Sequence, residues 1–468
     1  MKAGLRNASL LLGGEALSRL FGFLTTALLA RRLGLDGFGQ VGFALAILAY
    51  GISGTDFGLV TVGARSVARD RGAARDLYKR MVPLRALLGI GASGVILAFA
   101  FLVPRAAEVR WLLSLYGLGA ILQGCAIEWL FIGREQMGLV ALSRITATGF
   151  YYVLMLWWLR GPSDLMLVPA AFLVSTATGV LVLHLLNLGY PTATTTPAAP
   201  TQSWRALLSS AWPIGLAGLL TQAHVNVGLV LLGSLRGFTE TGVFAGAYRL
   251  VFFLMTLDRV FYTAFLPVMS RYLAARRAEV GQLAGTVLRL VLALTLPLCI
   301  GAVLLAGPLV ELVLGVSFAP AADPLRLMVW FLPISMLNSL AGYTLVSAGQ
   351  ERRFLRNVAI GTSISIGLSV TGVMVAAGTG AAAALTLGEV AILAVMLPDF
   401  ISLARPRIDA RLAAPLVAAL LMVPAMLVLD RLGWFAAAAG GAAVYGAALL
   451  LGRGLTASDI GLSRGRST

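Results

Sequence analysis

Apolar residues along this chain dominate runs of about twenty, set apart by short polar intervals, instead of alternating with a polar face. A run of that length is what an α-helix needs to cross the hydrocarbon core of a bilayer. Fourteen spans are read at 9–30, 40–63, 83–103, 111–131, 142–159, 166–187, 207–232, 242–265, 284–305, 325–346, 357–377, 381–402, 412–429 and 434–452. No polar interval exceeds about twenty residues, so no extramembrane domain is expected. The pattern predicts an all-α integral membrane protein.

Composition agrees. The 468 residues are 59% apolar and 12% charged, with a mean hydropathy of +0.90. Soluble domains run about half apolar and about a quarter charged. The formal charge of +16 suggests nucleic acid until its distribution is traced. With the N-terminus inside, 24 of the 36 Lys and Arg fall on the cytoplasmic side, counting Arg85 and Arg144 at span ends; eight fall on the opposite side, counting Arg326 at a span end; and Arg19, Arg249, Arg259 and Arg289 lie deeper within spans. That asymmetry is the positive-inside bias, and it places both termini in the cytoplasm. The basicity is therefore topology, and no nucleic-acid partner is expected. Cys125 and Cys299 fall in spans of different halves and imply no disulfide framework. The first apolar run is full length and ends in LLARRLG without a small-residue cleavage site, so no cleavable signal is expected.

The stretch PTATTTPAAPTQS (191–203) reads as a flexible cytoplasmic linker. It separates two similar segments, LLARRLGLDGFGQVGFA (28–44) and LLGSLRGFTETGVFAGA (231–247), which align without gaps at an offset of 203. Leu28/Leu231, Leu29/Leu232, Gly34/Gly237, Gly39/Gly242 and Ala44/Ala247 coincide. Six spans lie between equivalent positions, so the halves share one orientation, as in a parallel repeat. The expected organisation is an N-terminal lobe (1–190), the linker, a C-terminal lobe (204–403) and an appended helix pair with a cytoplasmic tail (404–468). The pair is rich in small residues that allow close helix contact, as in GWFAAAAGGAAVYGAALLLG (433–452).

Five stretches together carry a family resemblance. LLARRLGLDGFGQVGFA, YGISGTDFGLVTVGARSVAR (50–69), EWLFIGREQMGLVALSRI (128–145), GVFAGAYRLVFFLMTLDRVFYTAFLPVMSR (242–271) and LVSAGQERRFLRN (345–357) occur in an order that covers most of the chain. In this the chain resembles the polysaccharide-transport family of lipid-linked oligosaccharide (O-antigen and exopolysaccharide) flippases, in the MATE-like multidrug/oligosaccharidyl-lipid/polysaccharide superfamily. The resemblance implies two six-helix lobes in a V that opens alternately to either side of an inner membrane. The implied substrate is a glycan on a polyprenyl pyrophosphate, and the other partners are membrane lipids and polysaccharide-assembly proteins. It also carries cavity arginines of the first and eighth helices onto Arg19 and Arg249. One departure stands out: in HVNVGLVLLG, Asn226 is followed by Gly228 and no acid, where several relatives have one. An ion-coupling role at that position is in doubt.

An arginine at the bilayer centre costs about 2.5–3.5 kcal/mol, so charges inside spans usually face a bundle interior or a wet cavity. On one continuous helix, Arg249 and Arg259 would lie about 15 Å apart along the axis and about 80° apart around it. Asp258 would fall about 180° from Arg249 and cannot be its partner. Arg249 then takes either a carboxylate from another helix or a ligand phosphate, which a guanidinium fork binds in pairs. Arg259 either joins that site, snorkels to the cytoplasmic surface or pairs with an acid such as Asp258. Glu15 and Arg19 stand at i, i+4 in the favourable order, either as a self-neutralising pair or opened to phosphate. Glu128, Asp56 and Glu389 have no base within a turn of their own helices. Glu128 is the better candidate for coupling, and Asp56 for packing at a bend beside Phe57-Gly58. His224 and Asn226 are polar residues among apolar neighbours, candidates for the cavity or for hydrogen bonds within the bundle. The basic loop ARSVARDRGAARDLYKR (64–80) either orients the protein or gathers anionic headgroups at the cytoplasmic mouth, with Arg144 nearby.

Other function classes fit less well. A membrane glycosyltransferase or glycan polymerase would present acids or bases on a long outer loop, whereas the longest here (306–324) offers Glu311 and Asp323 without a paired motif. No HExxH, GxSxG or metal-ligand cluster occurs, and no cofactor or metal is expected. Coupling to a proton or sodium gradient or to the membrane potential stays open. A multidrug or cation extruder would want unpaired carboxylates, whereas the matching positions here are basic. A nontransporting scaffold would leave the charges within spans unexplained.

Overall fold

A computed structural model describes residues 2–72, 74–102, 106–189, 203–452 and 454. All but Ser203 of the expected linker, and nearly all of the expected tail, lie outside them. The described residues form seventeen α-helices: α1 (Lys2–Asp56), α2 (Leu59–Arg69), α3 (Ala74–Leu102), α4 (Ala107–Gly124), α5 (Glu128–Gly133), α6 (Met137–Trp158), α7 (Leu167–Leu188), α8 (Trp204–Leu235), α9 (Phe238–Leu254), α10 (Thr256–Ala275), α11 (Val280–Leu304), α12 (Ala306–Leu314), α13 (Ala322–Met328), α14 (Phe331–Ser347), α15 (Glu351–Ala404), α16 (Ala413–Leu429) and α17 (Trp434–Leu451). Twelve helical stretches among the described residues are long and apolar enough to cross a membrane. Two of them, Gly13–Arg69 with 57 residues and Glu351–Ala404 with 54, are long enough to cross twice. Counting those twice yields the fourteen crossings expected from the sequence.

α1 cannot be one straight rod, since its 55 residues would reach about 80 Å across a core of about 30 Å. It breaks at Gly34, whose φ of 67° is in the left-handed region that glycine enters freely. Its neighbours establish that the chain reverses there. The first half runs parallel to α6, with Gly14 against Ala141, Gly149 against Phe21, and Arg32 donating to the Leu156 carbonyl at 3.2 Å. The second half runs antiparallel to α3, with Phe43 beside Phe99 and Gly51 against Ile96. α3 is antiparallel to α4, α4 parallel to α7, and α7 antiparallel to α6, through Gly89 on Ala120, Tyr116 on Phe172 and Ser143 on Gly179. Followed around this circuit, the two halves of α1 point in opposite directions.

The chain divides into two compact units, Met1–Ala245 and Gly246–Thr468. In the first, α8 joins α1–α7 by running antiparallel to the second half of α1. Gly215 meets Phe57, Tyr50 donates to the Ala223 carbonyl at 3.4 Å, and Gly233 meets Phe43. The Ser203 hydroxyl starts α8 by accepting from the Ala206 amide at 3.2 Å, a helix N-cap. Asp56 sits at the end of α1, next to Phe57 and Gly58 with φ of 40° and 82°. Its Oδ1 accepts from the Val60 amide at 3.0 Å and so ties α2 to the bend.

In the second unit α15 reverses at Ala376–Ala377, where Ala377 has φ of 43°. Gly361 faces Ile392 and Gly372 faces Gly380, so the two halves form an antiparallel hairpin. α10 runs parallel to α14, with Tyr262 donating to the Met336 carbonyl and Ser270 bonded to Ser347. α16 and α17 form an antiparallel pair whose buried faces meet Ala293 and Leu296 of α11. Tyr445 donates to the Ala293 carbonyl at 2.8 Å. The connection leading to that pair crosses α11 closely: the Arg407 amide donates to the Gly281 carbonyl at 2.8 Å, and Arg289 holds Asp409 through two bonds of 3.2 and 2.9 Å.

The eighth span is not one continuous helix. It is interrupted at Met255 between α9 and α10. The separations of Arg249, Asp258 and Arg259 drawn from an ideal helix therefore do not carry across the break.

Candidate substrate cavity

The fourth span is also broken. α4 ends at Gly124 and α5 begins at Glu128, leaving 125–127 outside either helix. A break at membrane depth frees carbonyls that need donors. Two side chains from other helices supply them. Arg85 of α3, only 4% exposed, donates to the carbonyls of Ala126 and, at 3.1 Å, of Gln123. His184 of α7 lies 3.0 Å from the Cys125 carbonyl through Nε2 and 3.0 Å from the Tyr78 hydroxyl through Nδ1. A carbonyl only accepts, so Nε2 carries the proton and Nδ1 accepts from Tyr78.

The break sets Glu128 at the first turn of α5, where it meets Arg144 of α6. Arg144 Nη2 lies 2.8 Å from Glu128 Oε2 and Nε lies 3.4 Å from Oε1, a forked approach. The third nitrogen, Nη1, reaches Glu15 Oε2 at 3.2 Å, and Glu15 Oε1 accepts from Arg19 Nε at 3.0 Å. Two arginines and two glutamates thus form a continuous chain across α1, α5 and α6. Their side chains are between 20% and 33% exposed, so they are partly screened from bulk water. With all four ionised the chain is neutral.

This chain borders a cavity of about 360 Å³, walled by Glu15, Glu128 and Arg144 together with hydroxyls of α6 and α7 and the ring of Phe172. A second cavity of about 430 Å³ shares Gln123, Ala126 and Glu128 with the first and adds Asp56, Arg85 and Gln222. Glu128 therefore stands between two spaces in the first unit.

Of the residues singled out in the sequence, Glu15, Arg19, Glu128 and Arg144 come together here. Arg144 reaches inward to the cavity wall from within α6, although its position had put it at the cytoplasmic mouth. Arg85, counted there among cytoplasmic charges, is buried inside the bundle; the freed carbonyls of another helix explain why. His224 and Asn226 are buried on α8, where Asn226 Nδ2 donates to Gln222 Oε1 at 2.7 Å. It is Gln222, one turn earlier, that lines a cavity. The i, i+4 pairing of two amides was the signal for it.

The second unit holds the remaining candidates. Asp258 Oδ2 accepts from Ser339 at 3.3 Å, and Arg259 is exposed. Glu389, 5% exposed, takes both a side-chain and a main-chain bond from Asn338 Nδ2, each 2.9 Å. Arg249 lies on α9, half-buried within the span, and makes no hydrogen bond or ion pair among the described residues.

Residues 5–273 match the model of a family described as polysaccharide biosynthesis protein. Among solved structures, the lipid II flippase MurJ in an inward closed conformation is similar at 14% identity, covering 94% of this chain and 98% of that one, with a TM-score of 0.75. An inward-facing multidrug resistance MATE family transporter of the MOP superfamily is similar at 14% identity over 83% of this chain and 96% of its own, with a TM-score of 0.60. A MOP superfamily transporter from Pyrococcus furiosus is similar at 17% identity over 88% and 96%, with a TM-score of 0.57. At these identities the likeness is one of fold. No curated protein matches the sequence.

Proposed function

The chain belongs to the polysaccharide biosynthesis protein family, and on that premise we propose that it is a flippase for polyprenyl-pyrophosphate-linked oligosaccharide. It carries this substrate from the cytoplasmic to the outer leaflet of the plasma membrane by alternating access, with both termini in the cytoplasm. The fold it shares with a protein named as a lipid II flippase supports this reading.

The observation that carries it is Arg249. A guanidinium inside a span, with no carboxylate or carbonyl holding it among the described residues, is costly unless a ligand or water meets it. The pyrophosphate supplies the missing partner through paired bonds to its oxygens. A cation extruder is disfavoured because Glu15 and Glu128 are already matched by arginines.

Transport requires different affinities in the two facing states. A difference in how Arg249 reaches the phosphates in the two states offers a source of that difference, and Glu15 and Glu128 are the groups through which a proton or sodium gradient would couple. The test is depletion in the native host: lipid-linked oligosaccharide should accumulate on the inner leaflet. Unchanged distribution across the leaflets would refute the flippase reading.

A further inference from the structure

We infer that the cavity bounded by α1, α4, α6 and α7 is a carbohydrate subsite that takes sugar rings of the transported glycan and not its phosphates. This rests on the flippase reading and assigns one part of the substrate to one place in the first unit.

The balance of donors and acceptors on the wall decides which part of the substrate it suits. Phosphate oxygens only accept, so a phosphate site must offer spare donors. Here the one guanidinium on the wall, Arg144, spends three of its five N–H donors on the Glu128 and Glu15 carboxylates, and those two carboxylates outweigh its single charge on the wall. Three hydroxyls of the wall have spent their protons on the protein. Ser143 donates to the Gly179 carbonyl at 2.8 Å, Ser175 to the Phe172 carbonyl at 2.9 Å, and Thr148 to the Arg144 carbonyl at 2.8 Å. What they turn to the cavity is lone pairs, and the Glu15 and Glu128 carboxylates add more. Such a wall repels phosphate and suits a ligand dense in O–H donors.

Two groups on the same wall are unspent. Thr176, more than nine-tenths buried, lines the cavity with a hydroxyl that makes no hydrogen bond among the described residues. The Gln123 side chain is likewise unbonded, and its amide offers donors and an acceptor in one plane. Neither group is held by the protein, and a ligand that both donates and accepts is matched to the two together. Vicinal hydroxyls of a pyranose do both. Phe172 and Tyr151 stand edge to face at 6.3 Å and 85° on the same cavity, giving an apolar surface for the C–H face of a sugar ring. The volume of about 360 Å³ falls in the range of small-molecule sites, about 300–1,000 Å³.

The test uses the full chain in lipid nanodiscs, since many mild detergents carry sugar headgroups. The first probe is free oligosaccharide cleaved from the host's own lipid-linked pool, observed by saturation-transfer NMR. The second is inorganic pyrophosphate, observed by thermal stabilisation. The wild-type protein should transfer saturation to sugar protons. The pair Thr176→Val and Gln123→Met should weaken sugar binding about tenfold and leave pyrophosphate stabilisation unchanged. Thr176→Ser, which keeps the hydroxyl, should bind sugar as the wild type does. Pyrophosphate stabilisation without any saturation transfer to the wild type, or undiminished sugar binding by the double variant, would overturn the subsite and leave the flippase reading standing. If neither probe engages the wild type and depletion leaves the leaflets unchanged, both readings fall.

Discussion

Gly39 and Gly242 touch each other's chain segments reciprocally. A Cβ on Gly39 would lie 1.9 Å from the Phe238 carbonyl oxygen, and a Cβ on Gly242 would lie 2.0 Å from that of Leu35. Phe238 stands 203 residues after Leu35, as Gly242 does after Gly39. The contact is therefore of the kind that a twofold axis produces, with each partner offering the same surface to the other. Gly42 and Ala245, again 203 apart, face each other beside it, with 3.1 Å between a Cβ built on Gly42 and that of Ala245. The offset read from loose matches of Leu, Gly and Ala is thus a structural equivalence. It also explains why the glycines recur: no side chain fits between the two backbones.

Gly39→Ala and Gly242→Ala should each force these segments apart and cost about 1–3 kcal/mol, as overpacking does. Thermal unfolding in lipid nanodiscs checks this, and the double variant should cost less than the sum because both lesions relax the same contact.

The Glu15–Arg144–Glu128 link predicts a different pattern. Arg144→Met leaves two carboxylates facing each other across the cavity without their shared cation. The loss should be about 1–3 kcal/mol, held down by the partial exposure of all three side chains. Adding Glu128→Met should recover part of it, because the orphaned charge is then gone. Unfolding midpoints of the two single variants and the double variant give the coupling directly.

Arg289 is the most buried of the paired arginines, 3% exposed, and its carboxylate partner Asp409 comes from the connection to α16. Asp409→Asn should loosen the attachment of α16 and α17 without unfolding the rest of the second unit. The expected reading is faster hydrogen exchange in residues 405–451, with a stability loss near the lower end of about 3–5 kcal/mol, since Asp409 itself is half exposed.

The crossings were legible because a twenty-residue apolar run admits few other readings in a chain this poor in charge. The appended pair was legible from its small residues, and Glu15–Arg19 from its i, i+4 spacing. What the sequence hid were contacts made between helices. The gap at 125–127 contains no proline or glycine to announce it, and its stability comes from Arg85 and His184 on other helices. Arg85 and Arg144 were credited to the cytoplasmic side by position alone, whereas each side chain follows the acceptors that a distant segment supplies. Gln123 and Thr176 gave no signal, because an unpaired hydroxyl is recognised only once its neighbours are known.

The central claim is that Arg249 meets the phosphates of the substrate. The measurement that tests it most directly is export by Arg249→Ala and Arg249→Lys in cells depleted of the native protein, with insertion and amount verified in the same membranes. Arg249→Ala should abolish export and leave lipid-linked oligosaccharide on the inner leaflet. Arg249→Lys should restore only a minor part of it, since an ammonium keeps the charge and lacks the fork. Full export by a correctly inserted Arg249→Ala protein would contradict the account.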